Sequence, residues 1–75
     1  MENLLDRITI RPGVMDGKPC IRGMRVTVSM IVKQLAAGQT PESLLQDFPY
    51  LEREDISQSL RYAAMLADER EVAIG

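Results

Sequence analysis

The sequence has no histidine and no tryptophan, and its one cysteine is Cys20. Each absence removes a class of chemistry. Without imidazole there is no His-based catalytic triad or dyad. A zinc site is excluded with it, because neither cysteines nor carboxylates cluster at ligand spacing. A lone cysteine closes no intramolecular bridge and is expected as a reduced thiol. Phe48, Tyr50 and Tyr62 are the aromatics, so the core has to be Leu, Ile, Val, Met and Ala. No apolar run approaches the ~18 residues of a membrane span. Residues 1–6 lack the basic segment and apolar run of a signal peptide, so a cytoplasmic location is expected. No catalytic residue, metal ligand or cofactor is expected.

What is present reads as one globular domain over residues 1–75. Hydrophobic residues make up 45% and charged residues 27%, close to the globular average. A chain this short buries only about 60% of its unfolded surface. With disulfides and metals set aside, oligomerisation is the remaining way to support so small a core, and a homodimer is expected. The net charge of −2 hides an asymmetry. Residues 1–33 hold six basic and three acidic residues, a net +3; residues 34–75 hold three basic and eight acidic, a net −5. The first part suits an anion such as a phosphate backbone, and the second does not.

The chain has two textures. Residues 7–28 are rich in β-branched residues and broken by Pro and Gly: a β-arm with loops. Arg7–Ile10 alternates as a short strand, Cys20-Ile21 is a possible partner strand, and Arg25–Val28 alternates again. Arg11-Pro12-Gly13 and Asp16-Gly17-Lys18-Pro19 are turn signals. Residues 28–70 read as three helices. Thr27 caps the first, whose stripe is Val28, Ile31, Val32, Leu35 and Ala36, and Gly38 stands where a left-handed C′ residue belongs. Thr40-Pro41-Glu42 starts the second, which carries Leu44, Leu45 and Phe48 and stops at Pro49. Glu52-Arg53-Glu54-Asp55 starts the third, with Ile56, Leu60, Ala63, Ala64 and Ala67 on one face. Its opposite face shows Ser57, Gln58, Arg61, Met65 and Asp68. The tail from Val72 is expected to fray. This order is that of a small tri-helical domain whose last two helices can form a helix-turn-helix pair.

Three motifs tempt a stronger reading. Gly13–Lys18 resembles a P-loop, but the glycines are one residue too close and Pro19 stands where the magnesium-binding hydroxyl belongs. Glu52, Glu54 and Asp55 are explained by the positive end of a helix dipole. Arg22 and Arg25 bracket Gly23, and two guanidinium groups at one turn can clamp a phosphate. They can equally tie the arm to the acidic helices through an internal ion pair, and both readings stay open.

The run Gly17-Lys18-Pro19-Cys20-Ile21-Arg22-Gly23-Met24-Arg25-Val26-Thr27-Val28 resembles the signature of the bacterial and archaeal domain-of-unknown-function family 433. Its core is Gly-Lys-Pro-x-Ile-Arg-Gly-x-Arg-x-x-Val. Leu35–Gly38, Pro41–Leu45, Asp47–Leu51, Asp55-Ile56 and Leu60–Ala64 fit the remainder. Met24 stands where this family often has threonine, and Glu52 where a Ser or Thr cap is common. The resemblance implies a mainly α, homeodomain-like or winged-helix-like helix-turn-helix domain with a short N-terminal β-arm. It also implies a VapB-type antitoxin that silences a PIN-like ribonuclease and represses its own promoter. On that footing Lys18, Arg22 and Arg25 are expected at phosphate or at the dimer partner. Ser57, Gln58 and Arg61 are expected at base edges, and Met65, Asp68 and Glu69 at the toxin. The alternative is a protein-interaction adaptor without DNA binding. The acids at the start of the third helix oppose its entry into a groove.

Overall fold

A computed structural model describes residues 5–68. The elements in chain order are β1 (Ile8–Thr9), a 3₁₀ turn (Met15–Gly17), β2 (Cys20–Ile21), α1 (Val28–Ala36), α2 (Pro41–Asp47) and α3 (Arg53–Asp68). The molecule is mainly helical, with three helices and a two-stranded sheet. β1 and β2 pair antiparallel, Ile8 opposite Ile21 and Thr9 opposite Cys20. The expected strands are thus shorter than the alternation suggested. Arg25–Val28 contributes one bridge, Cys20 to Thr27, and Val28 already belongs to α1.

Local chemistry sets the helix ends. The Thr27 hydroxyl accepts from the N–H of Met30 at 3.0 Å. At the other end of α1, Gly38 takes φ +105°. Its N–H reaches the Leu35 carbonyl, and that of Gln39 reaches the Gln34 carbonyl, both at 3.1 Å. These are the two bonds of a Schellman motif, which needs a left-handed residue at C′. α2 opens on a reciprocal box: the Ser43 N–H donates to the Thr40 hydroxyl and the Thr40 N–H to the Ser43 hydroxyl, each at 3.1 Å. Pro41 follows at the first helical position.

Between Ile21 and Met24 the chain reverses over Arg22 (φ +48°) and Gly23 (φ +72°). The Met24 N–H closes the turn on the Ile21 carbonyl at 2.8 Å. Two successive positive φ angles define a type I′ turn. Arg22 therefore holds a backbone conformation that costs a side-chain-bearing residue roughly 1–2 kcal/mol.

The core joins the arm to all three helices: Ile21 and Val26 from the arm, Val28 and Ile31 from α1, Leu44 from α2, Leu51, and Ile56 from α3. α3 is rotated from the expected orientation. Of its expected apolar face only Ile56 is buried, and Leu60 is 45% exposed. Asp55, Gln58 and Ser59 are buried instead. Two arginines of the arm reach inward for a carboxylate, and α3 turns Asp55 to meet them.

Candidate binding surfaces

Asp55 is the centre of the polar structure. Its side chain is fully buried and accepts four hydrogen bonds. Arg22 grips both oxygens, Nε donating to Oδ1 at 3.2 Å and Nη2 to Oδ2 at 2.9 Å. Arg7 Nη1 donates to Oδ1 at 3.1 Å. The N–H of Glu52, the residue before α3, donates to Oδ2 at 2.8 Å. Arg22 Nη2 also donates to the Tyr50 carbonyl at 2.8 Å, and Arg7 also pairs with Glu52. Burial pushes the Asp55 carboxyl up, but the bonds from Arg22, Glu52 and Arg7 outweigh it and hold the group below the usual carboxylate range. The same bonds raise both guanidinium groups, Arg7 mainly through Glu52 and Arg22 mainly through Asp55. A carboxylate this fully engaged has no lone pair directed at a substrate, and its work is to tie the arm to α3.

The two open readings of Arg22 and Arg25 therefore separate. Arg22 is the internal ion pair and is not offered to a phosphate. Arg25 is exposed and forms no ion pair among the described residues. Gln58 corrects a second expectation. It is 4% exposed and cannot read a base edge. Its carbonyl accepts from the Arg7 N–H at 2.9 Å, and its amide donates to Asp6 at 2.9 Å and Glu54 at 3.3 Å. Ser57 is half-buried, and Arg61 is exposed beside Glu54 at 3.8 Å. The expected α3 reading face is thus split between arm support and an acidic neighbour. Met65 and Asp68 are exposed at the end of α3, and Glu69 lies outside the described residues.

Two surfaces remain. The first is basic. Among the described residues, Arg7, Arg22, Arg53 and Arg61 have carboxylate partners, whereas Arg11, Lys18, Arg25 and Lys33 have none. Arg11 lays its guanidinium over Gly23, 3.5 Å from where a Cβ would stand. Lys18 and Lys33 line one groove of about 330 Å³ with Thr27, Ser29, Met30 and Gln34. The Val28 N–H holds the Lys18-Pro19 loop against α1 by donating to the Pro19 carbonyl at 3.0 Å. Lys33, Ser29 and Gln34 escaped the sequence reading, although Ser29 and Lys33 stand one turn apart on the polar side of α1.

The second surface is apolar. A groove of about 320 Å³ runs between α1 and α3, walled chiefly by Pro19, Val28, Val32, Tyr62, Ala63 and Leu66. Leu66 in its wall is 47% exposed, and Leu60 and Met65 on the same helix are 45% and 49% exposed. Among the described residues no group of three or more His, Cys, Asp or Glu can hold a metal ion, and no helix is long and apolar enough to cross a membrane.

Comparison with known proteins agrees with this geometry. A crystal structure of a DUF433 member from Anabaena variabilis superposes with a TM-score of 0.77 at 32% identity, over 84% of this chain and 62% of that one. The uncharacterized protein y4eO of Sinorhizobium fredii is 36% identical over 56 residues, 75% of this chain. The chain spans a quarter of that curated relative's length (25%). Residues 8–63 match the family described as protein of unknown function (DUF433). The match takes in the arm from Ile8 onward, Arg22, Glu52 and Asp55 of the clamp and most of α3, and the chain belongs to the DUF433 family.

Proposed function

We propose that the chain is an antitoxin-like DNA-binding protein that meets DNA through its arm and α1 rather than through α3. The observation that carries this reading is the segregation of charge. Every described cation lying on or against α2 and α3 is matched by a carboxylate, and the four unmatched ones lie on the arm loops and α1. Unmatched cations gathered on the arm loops and α1 are the electrostatic footprint of a polyanion. Lys18 and Lys33 would take phosphates across their shared groove, with Arg25 and Arg11 extending the contact along the turn. The three helices fit a helix-turn-helix body, but Glu52 and Glu54 at the start of α3 repel phosphates there. The resemblance to VapB-type antitoxins supplies the context: a cytoplasmic protein that silences a PIN-like ribonuclease and represses its own promoter.

Fluorescence anisotropy with duplex DNA from upstream of its own gene tests this. For three or four phosphate contacts, log K falls with log salt at a slope of about −3 to −4. Lys18→Glu and Lys33→Glu weaken binding and flatten the slope, while Arg53→Ala, at the start of α3, changes little. Absence of binding at low salt, alone or with the neighbouring gene product, refutes the reading. A second reading, an adaptor that binds protein without DNA, is favoured by the exposed apolar side of α3. Co-purification with a ribonuclease and no DNA affinity would select it.

A further inference from the structure

α3 is apolar over more of its circumference than one core covers. Along the C-terminal part of α3, residues 60–68, at 100° per residue Tyr62, Leu66, Ala63, Ala67, Leu60 and Ala64 succeed one another through about 200° of arc, and the charged residues of that part, Arg61 and Asp68, lie outside it. A helix that serves one core needs a stripe of about 100°. The core occupies the side of Ile56 and Ser59 and leaves the Leu60, Ala64, Ala67 edge exposed. In a soluble protein such an overhang marks an interaction surface.

The charges beside the overhang identify its occupant. Arg61 and Asp68 stand on the same border of the arc, two turns apart, about 10 Å along the helix. We propose that a second copy of this chain covers the face, α3 against α3, antiparallel, about a two-fold axis passing close to Ala64. That symmetry brings like borders together and reverses their direction. Arg61 of each copy then faces Asp68 of the other, and the match is made twice. A parallel pair would set that border against the Tyr62 side of the second copy and leave Arg61 and Asp68 without each other. Alanines at 63, 64 and 67 leave room for close approach at the axis, and Leu60 packs beside Ala67 of the second copy. A stable interface takes about 800 Å² per partner, and the whole accessible surface here is 5477 Å². Such an interface takes roughly a seventh of that surface.

The groove also says what the pairing is for. Ser29 and Lys33 line both the apolar groove and the basic one. Covering the first brings the basic grooves of two copies to the borders of one interface, so two copies present one bipartite cationic surface. That consequence rests on the DNA-binding reading; the pairing itself does not.

Sedimentation equilibrium of the full chain across micromolar concentrations tests it without DNA. The expected mass is twice 8.4 kDa. Leu60→Glu should sediment as a monomer with its helical circular dichroism intact. Arg61→Glu and Asp68→Arg should each weaken the dimer by about tenfold or more. The double exchange, which restores opposite charges across the axis, should recover most of the loss. A monomeric wild type overturns the proposal, including one that forms a one-to-one complex with the product of the neighbouring gene. So does a dimer indifferent to Leu60→Glu, or a double exchange that rescues nothing. Loss of DNA binding alongside an intact dimer overturns the functional reading and leaves this one standing.

Discussion

Replacing Asp55 by alanine removes the acceptor of four hydrogen bonds, three of them from guanidinium groups. A hydrogen bond to a charged group contributes about 1.5–3 kcal/mol, and removing one partner of a fully buried pair costs about 3–5 kcal/mol. Here the guanidinium side chains are 28% and 36% exposed. Water can reclaim them once the carboxylate is gone, which brings the expected loss to about 3 kcal/mol. A domain of this length has roughly 4–11 kcal/mol in total. The variant should therefore melt about 12–24 °C lower, read by circular dichroism at 222 nm and by urea titration. The pH dependence has a definite sign. The Asp55 carboxyl is lowered in the folded state. Its contribution is complete above the unfolded carboxylate value of about 3.9 and is lost as pH falls through the lowered folded value. Wild-type stability should decline in acid along a limb that Asp55→Asn flattens. A loss under about 1 kcal/mol, or an acid limb unchanged by the substitution, would show that the clamp is ornamental.

Two further outcomes follow from the same geometry. Gln58→Ala leaves the Arg7 N–H without its acceptor and should destabilise by about 1–2 kcal/mol. The folded variant should bind DNA as the wild type does, and a selective loss of affinity would return Gln58 to the nucleic-acid interface. Gly38→Ala forces a side chain into φ +105° where the Cβ itself meets nothing within 4 Å. The expected loss of about 1 kcal/mol is conformational rather than steric, and chemical denaturation should find it with an unchanged m-value.

The parts of this fold legible in the sequence are those specified by neighbours in the chain. Thr27, Gly38 and Thr40-Pro41 act on backbone groups within five residues, so the helices begin and end where their chemistry says. The rotation of α3 was not legible. Periodicity assigns Leu60, Ala63 and Ala64 to the core because they are apolar, and Gln58 to solvent because it is polar. What decides the matter is Arg22, 33 residues before Asp55, and Arg7, 48 before it. Pairings at that separation leave no period behind. Burying Asp55, Gln58 and Ser59 is affordable only because each finds a partner: the guanidinium groups, the Arg7 N–H, and for the Ser59 hydroxyl the Asp55 carbonyl at 2.8 Å. The same rotation exposes the apolar edge that a second copy is proposed to cover.

The Arg-Gly step of the signature run shows how a structural residue can imitate a ligand-binding one. A type I′ turn favours Asn or Gly at its first central position, and an arginine there is strained. It persists because that backbone conformation places its planar fork where Nε and Nη2 bond both Asp55 oxygens while Nη2 also reaches the Tyr50 carbonyl. Lysine, a point charge, cannot reproduce that geometry. The clamp as a whole takes two cations, Arg7 and Arg22, and two carboxylates, Glu52 and Asp55, out of the surface balance. Equal numbers are removed from the basic and acidic parts of the chain, so the polarity between them survives folding. Arg11, Lys18, Arg25 and Lys33 then stand on the arm and α1 with Asp16 as the one acid between positions 10 and 40. Internal pairing at Asp55 fixes the arm against α3, and the arm in turn holds Lys18 beside Lys33. The basic face is therefore what the composition of residues 1–33 leaves once the clamp has taken Arg7 and Arg22, with the Val28–Pro19 bond keeping the Lys18 loop against α1.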